Sequence, residues 1–205
     1  MSVHDAMADV NYRQLVLDIG KHDNYAVVFR STLEDMAAKV DFSHVKSCVA
    51  FGTGGGEREI EFARRLLPNL RSFTAVEPDP ESVRALRANF QDGKLPGVET
   101  SVVETTLESW SGVQKHVDAV LLFDMLLHIH ITDRKALFQK LITQYLSYGG
   151  VVAIISSTSS FTRVILERLG MSQVVYDNLE GDMVDAGFHV VLKQDYEVVE
   201  TYLTL

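Results

Sequence analysis

A glycine-rich run follows the first apolar segment of the chain, where residues 49–57 read VAFGTGGGE. Glycine permits a positive φ and a close approach of a ligand to the backbone, and N–H groups at the start of a following helix face that ligand. A dinucleotide-binding loop, G-x-G-x-x-G, needs a third glycine where this chain has Glu57, whose carboxylate would repel a pyrophosphate. The run therefore favours a ligand with an amino group over a nicotinamide dinucleotide; a βα turn without a ligand has the same composition. The candidate contacts are Gly52, Thr53, Gly54 and Gly56.

An acidic residue ends the second apolar segment, where residues 73–80 read FTAVEPDP. Glu77 stands 25 residues after Gly52, and an acid at the tip of a second strand can accept hydrogen bonds from ribose hydroxyls. The alternative is an acid favoured by the dipole at a helix N-terminus. Asp79 fits that alternative better than Glu77 does, because Pro80 is expected to open the helix.

The fourth apolar segment also ends in an acid, Asp124, and two histidines follow it, His128 and His130. An open α/β sheet reverses its strand order beside this strand, and ligands bind there. Because a buried carboxylate needs a partner, Asp124 is a candidate contact for substrate or cofactor, with a helix N-cap as the alternative. The histidines titrate near neutral pH and are either acid–base groups or ordinary loop residues. Phe123 could pack against an adenine.

Two further motifs are less specific. Glu104-Thr-Thr106 follows the third apolar segment, where polar side chains such as that of Thr106 would meet the edge of an adenine. Gly149-Gly150 precedes the fifth apolar segment and predicts a turn whose role is structural.

The elements that must position these residues alternate between short apolar runs and helical stretches. Runs that are apolar at every position suit strands buried on both faces of a parallel sheet, and apolar residues three and four apart suit helices. The alternation predicts a Rossmann-like α/β fold, a mostly parallel sheet with helices on both faces. The predicted strands are 47–51, 72–76, 99–103, 119–123 and 151–155, and the helices between them are 57–67, 80–90 and 132–146.

The pattern differs at the two ends of the chain. Residues 1–40 predict a helical segment, with apolar residues at helical spacing from Tyr12 to Ile19 and again from about 24 to 39. Residues 41–205 form the predicted core of a single domain. Beyond the fifth strand the sequence predicts helices over 158–170 and 177–186, then one or two strands over 189–203.

Composition argues against several classes of protein. The 205-residue chain is 46% hydrophobic and 23% charged, as one globular domain is. Its net charge of −9, without a basic run, disfavours a nucleic-acid substrate. The chain opens without a signal-peptide pattern, and its longest apolar stretch is too short to span a bilayer. With Cys48 as the one cysteine, we expect a soluble cytoplasmic protein without a membrane partner or a metal site.

In their order and spacing these motifs resemble those of class I methyltransferases, which bind S-adenosyl-L-methionine (SAM), over roughly residues 41–205. A G-x-G-x-G loop followed by an acid is the usual first motif of that class. The resemblance implies SAM as the cofactor, which carries the reactive methyl group while the protein orients it. It assigns the cofactor contacts to Gly52, Thr53, Gly54, Gly56, Glu77, Pro78, Ser82, Thr106 and Phe123.

More narrowly, the chain resembles histamine N-methyltransferase and its relatives, through residues 22–30, 52–57, 76–78, 104–106, 125–126 and 156–160. By that resemblance Asp124 stands where the family has a substrate-binding glutamine. Tyr25 and Phe29 would lie in a helical lid over the substrate. The family's substrate-binding glutamate falls on Val27, and two pocket tryptophans fall on Thr162 and Leu166.

The family's last strand has no counterpart in this sequence. A sheet that ends one strand early leaves an open edge, which proteins normally pair or cover. We therefore expect a partner chain, such as a second copy in a homodimer, to cover it.

Together these features predict a SAM-dependent methyltransferase that acts on a small polar or amine substrate. An amine must be neutral when it attacks, so Asp124 and His128 are the candidate catalytic acceptors. Asp124, Tyr25 and Phe29 are the candidate substrate contacts. Two alternatives stay open: a SAM-binding protein without catalysis, acting as a regulatory subunit, and a methyltransferase that modifies a protein.

Overall fold

The computed structural model describes residues 24–112, 116–156 and 178–196. Its helices are α1 (Tyr25–Lys39), α2 (Glu57–Leu66), α3 (Pro80–Gln91), α4 (Ile131–Lys140) and α5 (Leu179–Ala186). Its strands are β1 (Ser47–Phe51), β2 (Ser72–Glu77), β3 (Glu99–Glu104), β4 (Val117–Phe123) and β5 (Leu146–Ile155). A short 3₁₀-helix spans Leu126–His128 and a π-helical turn spans Leu141–Tyr145. The predicted helices at 12–19 and 158–170 lie outside the described residues.

The five strands form one parallel sheet in the order β3-β2-β1-β4-β5. The two central strands are apolar and buried at nearly every position, which is what a strand covered on both faces requires. Strand order reverses between β1 and β4, so the loops after these strands diverge and leave a crevice at the carboxyl edge of the sheet.

Two groups of buried side chains lie on opposite faces of the sheet. One contains Phe62 of α2 and Leu86 of α3, together with Phe29 of α1. The other contains Phe138 of α4 and Tyr145 of the π-helical turn. The predicted Rossmann-like fold, with helices on both faces of a parallel sheet, is confirmed.

Helix α1 belongs to the first of these cores. Phe29 and Leu33 are one helical turn apart on its inner face and are 4% and 1% exposed. The Phe29 ring meets the Phe123 ring edge-on, with centroids 6.1 Å apart. Val27 points away and is 64% exposed. Whether residues 1–40 act as a lid stays a prediction.

The region of Gly149-Gly150 differs from the predicted turn. β5 already begins at Leu146, which pairs with Val117, and the ladder resumes with Ala119 opposite Val151. The intervening residues of β5 bulge out opposite Asp118, and Gly149 has a φ of +75°. The predicted helix 132–146 corresponds to a continuous helical stretch over 131–145, in which α4 gives way to the π-helical turn at Leu141.

The chain after α5 also differs from expectation. Residues 188–196 contain no strand, whereas the sequence predicted strands over 189–203, of which 197–203 lie outside the described residues. Instead the Tyr196 hydroxyl donates to Asp35 of α1 at 2.8 Å. β5 is an edge of the sheet among the described strands, and its cover by a second copy stays a prediction. None of the described helices has the length and apolar character needed to cross a membrane.

Leu33→Ala tests whether α1 is an integral part of this domain. Removing a fully buried leucine side chain leaves a cavity, so we expect the free energy of unfolding in urea to fall by about 2–5 kcal/mol. Val27→Ala, at an exposed position in the first turn of the same helix, should change it by less than about 0.5 kcal/mol. Equal effects of the two substitutions would contradict the packing of α1 on the core.

Candidate functional site

The predicted site residues come from loops that meet at the carboxyl edge of the sheet. The glycine run follows β1, Glu77 ends β2, and Asp124 follows β4. β1 lies between β2 and β4, so these three loops are neighbours across the crevice. The sheet order therefore gathers residues that are up to 72 positions apart, from Gly52 to Asp124.

The glycine run needs glycine at two positions for different reasons. Gly52 has a φ of +63°, and a Cβ there would stand 2.9 Å from Cγ of Met125. Gly56, with a φ of +79°, is the N-cap of α2, and a Cβ there would collide with the Leu86 side chain. A Cβ at Gly54 would meet nothing within 4 Å, so open space lies above the middle of the loop.

Glu77 ties this loop to the end of β2. One of its carboxylate oxygens accepts from the Gly54 N–H at 2.8 Å, and the other accepts from the Asp79 N–H at 3.0 Å. The residue is 6% exposed. Each carboxylate oxygen has a further lone pair, so both can also accept from a pair of ligand hydroxyls at the crevice.

Thr53 lies in the glycine loop, and Asn89, which the sequence pattern did not single out, supports the loop from α3. The Thr53 hydroxyl is buried and has no hydrogen-bond partner among the described residues. Such a group is expected to bind something, and it stands in the loop that the sequence assigns to the cofactor. Asn89 of α3 donates to the Gly55 carbonyl at 2.7 Å and so fixes the loop from outside.

Pro78 and Ser82 lie at the start of α3. Asp79 is the N-cap of that helix, and its carboxylate accepts from the Ser82 N–H at 2.7 Å. This confirms the helix-capping interpretation of Asp79 and leaves Glu77 for the crevice. Ser82 is 8% exposed, and its contact with a cofactor, like that of Pro78, stays a prediction.

Asp124, Tyr25 and Arg58 form a polar cluster at the mouth of the crevice. The Asp124 carboxylate accepts from the Tyr25 hydroxyl at 3.1 Å and forms an ion pair with the Arg58 guanidinium. Arg58 also donates to the Tyr25 hydroxyl at 3.0 Å and lies 5.6 Å from the centre of its ring. Asp124 has a φ of +49°, a left-handed conformation that is uncommon outside glycine and that clusters at functional sites.

The sequence did not single out Arg58. This residue is the charged partner that a partly buried Asp124 was expected to need. Burial alone would lower the pKa of Arg58, but Asp124, Glu59 and Tyr25 outweigh that effect and raise it. Burial and the Asp124 charge raise the pKa of Tyr25. Arg58 is therefore charged and Tyr25 is neutral at physiological pH. A basic residue directly after the G-x-G-x-G-acid motif was the available signal.

The two predicted aromatic contacts are core residues. The Phe123 ring is 1% exposed and packs edge-on against Phe62, with centroids 5.3 Å apart, as well as against Phe29. This burial corrects the idea of the Phe123 ring as an open stacking face for an adenine. Phe29 supports Tyr25, whose ring stacks on it at 6.3 Å. Contact of either residue with a ligand stays a prediction.

The remaining predicted residues are His128, His130 and Thr106. His128 ends the 3₁₀-helix and is exposed, and His130 is the N-cap of α4, where its ring nitrogen stands 2.8 Å from the Thr132 hydroxyl. The capping contact favours a structural role for His130. Thr106 opens the turn after β3 and its hydroxyl accepts from the Ser109 N–H at 3.3 Å. The roles of His128 and Thr106 stay predictions.

Glu59 is a second carboxyl near this cluster that the sequence did not single out. It lies on α2 and is 1% exposed. Neither of its carboxylate oxygens has a hydrogen-bond partner among the described residues. Burial raises the pKa of Glu59 to about 7, while the charge of Arg58 opposes the shift and Asp124 and Glu57 add to it.

Two other features of the described residues lie outside the crevice. A cavity of about 440 Å³ is lined by residues at the end of α1 and the end of α2, among them Lys39 and Arg65, and includes no predicted site residue. The parts of the chain that the structure describes hold no group of three His, Cys, Asp or Glu residues placed to bind a metal ion. Cys48 is buried in the core.

Residues 49–150, about half of the chain, match the family model described as a methyltransferase domain. The match spans just under half of the chain. It supports the predicted enzyme class for this part of the chain, with SAM as the cofactor. No curated protein matches the chain, and no comparison supports the narrower resemblance to histamine N-methyltransferase.

Several solved structures share the fold. A chain of the Haloferax volcanii complex with the Trm112 methyltransferase activator has a TM-score of 0.63 and 16% identity, over 95% of this chain and 79% of that one. The cyclopropane synthase MmaA2 from Mycobacterium tuberculosis has a TM-score of 0.60 and 11% identity, over 80% and 62%. The plantazolicin methyltransferase BpumL, solved with a triazolic desmethylPZN analog and S-adenosylhomocysteine (SAH), has a TM-score of 0.56 and 18% identity, over 88% and 64%. The chain thus spans less than two thirds of the latter two proteins, and likeness at this identity shows the fold alone.

The buried carboxyl of Glu59 predicts a pH dependence of stability. Its pKa in the folded protein is about 7, against an ordinary value of 4.5, so between these pH values the folded chain holds a proton that the unfolded chain has released. The free energy of unfolding must then fall as pH rises through this window, by on the order of 3 kcal/mol from this group. Glu59→Gln should remove that part of the slope in urea denaturation between pH 5 and 8.

Glu61→Gln is the matched control, because Glu61 lies on the same helix with its side chain 32% exposed and paired with Arg30 and Arg65. It should retain the wild-type slope. A Glu59→Gln variant with the wild-type slope would contradict the raised pKa.

Proposed function

We propose, from the match of residues 49–150 to the model of a methyltransferase domain, that this chain transfers a methyl group from SAM to a small polar or amine acceptor. The observation that carries the proposal is Glu77, whose carboxylate bridges the glycine loop and the start of α3 at the carboxyl edge of the sheet. An acid at that place suits the two free hydroxyls of the SAM ribose.

The glycine loop and Glu77 would hold the cofactor. The open space above Gly54 permits a ligand to lie against the backbone, and the unpartnered Thr53 hydroxyl can donate to it. SAM, when bound, supplies an activated methyl group on a sulfonium. The chain's own contribution is to orient the reactants, since in-line transfer depends on alignment.

Asp124 and Tyr25 would face the acceptor. Both stand at the mouth of the crevice, where the Tyr25 hydroxyl donates to Asp124. They lie beside the glycine loop, because the side chain of Met125, the residue after Asp124, lies close to Gly52. Asp124 is compensated by Arg58, so it attracts a free ammonium less than an isolated carboxylate would. The arrangement favours an acceptor that reaches the site neutral, with its N–H or O–H hydrogen-bonded to Asp124. His128, exposed beyond the crevice, is the candidate that would pass a proton to solvent.

Calorimetric titration with SAM, NAD and NADP tests the cofactor. We expect SAM alone to bind, with a dissociation constant in the micromolar range. Glu77→Gln keeps the size of the side chain but weakens charge-assisted hydrogen bonds, so SAM should bind about tenfold more weakly. Glu99→Gln is the control, because Glu99 is exposed at the amino end of β3, at the opposite edge of the sheet. Absence of SAM binding in the wild-type chain would overturn the proposal.

Asp124→Asn tests the acceptor side of the site. With radiolabelled SAM and a panel of small amines and hydroxyl compounds, histamine among them, the substitution should lower the rate of methyl transfer about 10²-fold or more. Asp185→Asn, on the exposed side of α5, should leave the rate unchanged. Wild-type turnover in the Asp124→Asn variant would refute a role for this carboxylate. SAM binding without transfer to any acceptor would favour a non-catalytic protein or a protein substrate.

A further inference from the structure

Glu59 is a buried acid that neither the fold nor the proposed chemistry uses. Buried carboxyl groups are almost always hydrogen-bonded, yet both oxygens of Glu59 lack a partner among the described residues, and the side chain is 1% exposed. An alanine or leucine at this inner position of α2 would avoid the desolvation of a polar group. We therefore expect the carboxyl at position 59 to have a role that depends on its charge and on the neighbouring charge of Arg58.

The charges that face Glu59 come from every element packed around it. Arg58 and Glu57 lie on α2 itself, and Asp124 acts from the end of β4. The thiol of Cys48 on β1 also senses the Glu59 charge. Tyr25 of α1 reaches the same cluster through Arg58 and Asp124 and is neutral.

Within this set one ion pair is complete without Glu59. Arg58 and Asp124 carry opposite unit charges in direct contact. An ionised Glu59 would add an uncompensated negative charge with almost no solvent exposure, which is strongly unfavourable. Glu59 is consequently neutral for much of the time near neutral pH, in agreement with its pKa of about 7.

We propose that Glu59 is a charge-compensating residue of the cofactor site: it is protonated while the Arg58–Asp124 pair is the only charge beside it, and it ionises when a cation binds next to that pair. The inference rests on the proposed function, since the cation it requires is SAM, which carries an ammonium and a sulfonium. The added positive charge of SAM beside the neutralised pair favours a second counter-charge, and Glu59, which senses the charges of Arg58 and Asp124, supplies it. The balance is simple, because the Glu59 carboxylic acid becomes a carboxylate and one proton leaves to solvent.

Proton release on binding SAM tests this inference. Calorimetric titration in buffers of different ionisation enthalpy gives the number of protons released. At pH 6 to 7 we expect the wild-type chain to release roughly half a proton to one proton per SAM, and almost none at pH 8.5, where Glu59 is already ionised. Glu59→Gln should still bind SAM but release none from this source, whereas Glu61→Gln should match the wild type.

A second variant provides the same test if Glu59→Gln fails to fold. In Asp124→Asn the Arg58 charge has lost its partner, so Glu59 is already ionised in the free protein. Binding of SAM to this variant should release no proton at pH 6 to 7. Its thermal stability should also lose the wild-type decline between pH 5 and 7.

The outcomes separate the two proposals. SAM binding with the same proton release in the wild type and in Glu59→Gln would overturn this inference and leave the proposed function standing. Proton release retained in Asp124→Asn would overturn it as well. A wild-type chain that does not bind SAM would overturn the proposed function, and the role of Glu59 would fall with it.

Discussion

A parallel sheet must be covered on both faces, and this requirement determines where the site can lie. The faces of β1 and β4 are occupied by helices and by two apolar cores, so polar chemistry is restricted to the ends of the strands. The reversal of strand order between β1 and β4 opens the carboxyl edge. Gly52, Glu77 and Asp124 all stand at that edge because each ends or directly follows a strand.

The polar cluster depends on compensation of charge at low exposure. Asp124 tolerates its place beside the core because Arg58 pairs with it and Tyr25 donates to it. That compensation changes the chemistry expected of the site, since a neutralised carboxylate orients a neutral acceptor better than it captures a free ammonium. The Arg58 charge is thereby committed to Asp124, and Glu59 lacks a hydrogen-bond partner among the described residues. In the proposed role, the protonation of Glu59 then depends on the charge of whatever binds at the mouth.

Much of the fold followed from local pattern, because a strand buried on both faces is apolar throughout and a helix on a sheet is apolar on one side. β1 was predicted with both bounds correct, and α2 and α3 within one residue of theirs. The errors fell where tertiary contacts override local preference. β5 extends back through Gly149 because its first residue pairs with Val117, and residues 189–196 lack the strand that their composition favours.

By itself the sequence determined the fold class, the glycine loop and the acid at the end of β2, because backbone conformation and the order of elements set these features. It could not determine which side chains face each other across the crevice. The ion-pair partner of Asp124 is Arg58 of α2, and its hydroxyl donor is Tyr25 of α1. The spacing of these residues along the chain does not predict that they are in contact. Burial likewise decided that Phe123 belongs to the core and that the pKa of Glu59 is raised to about 7, because both depend on neighbours that only the packed structure brings together.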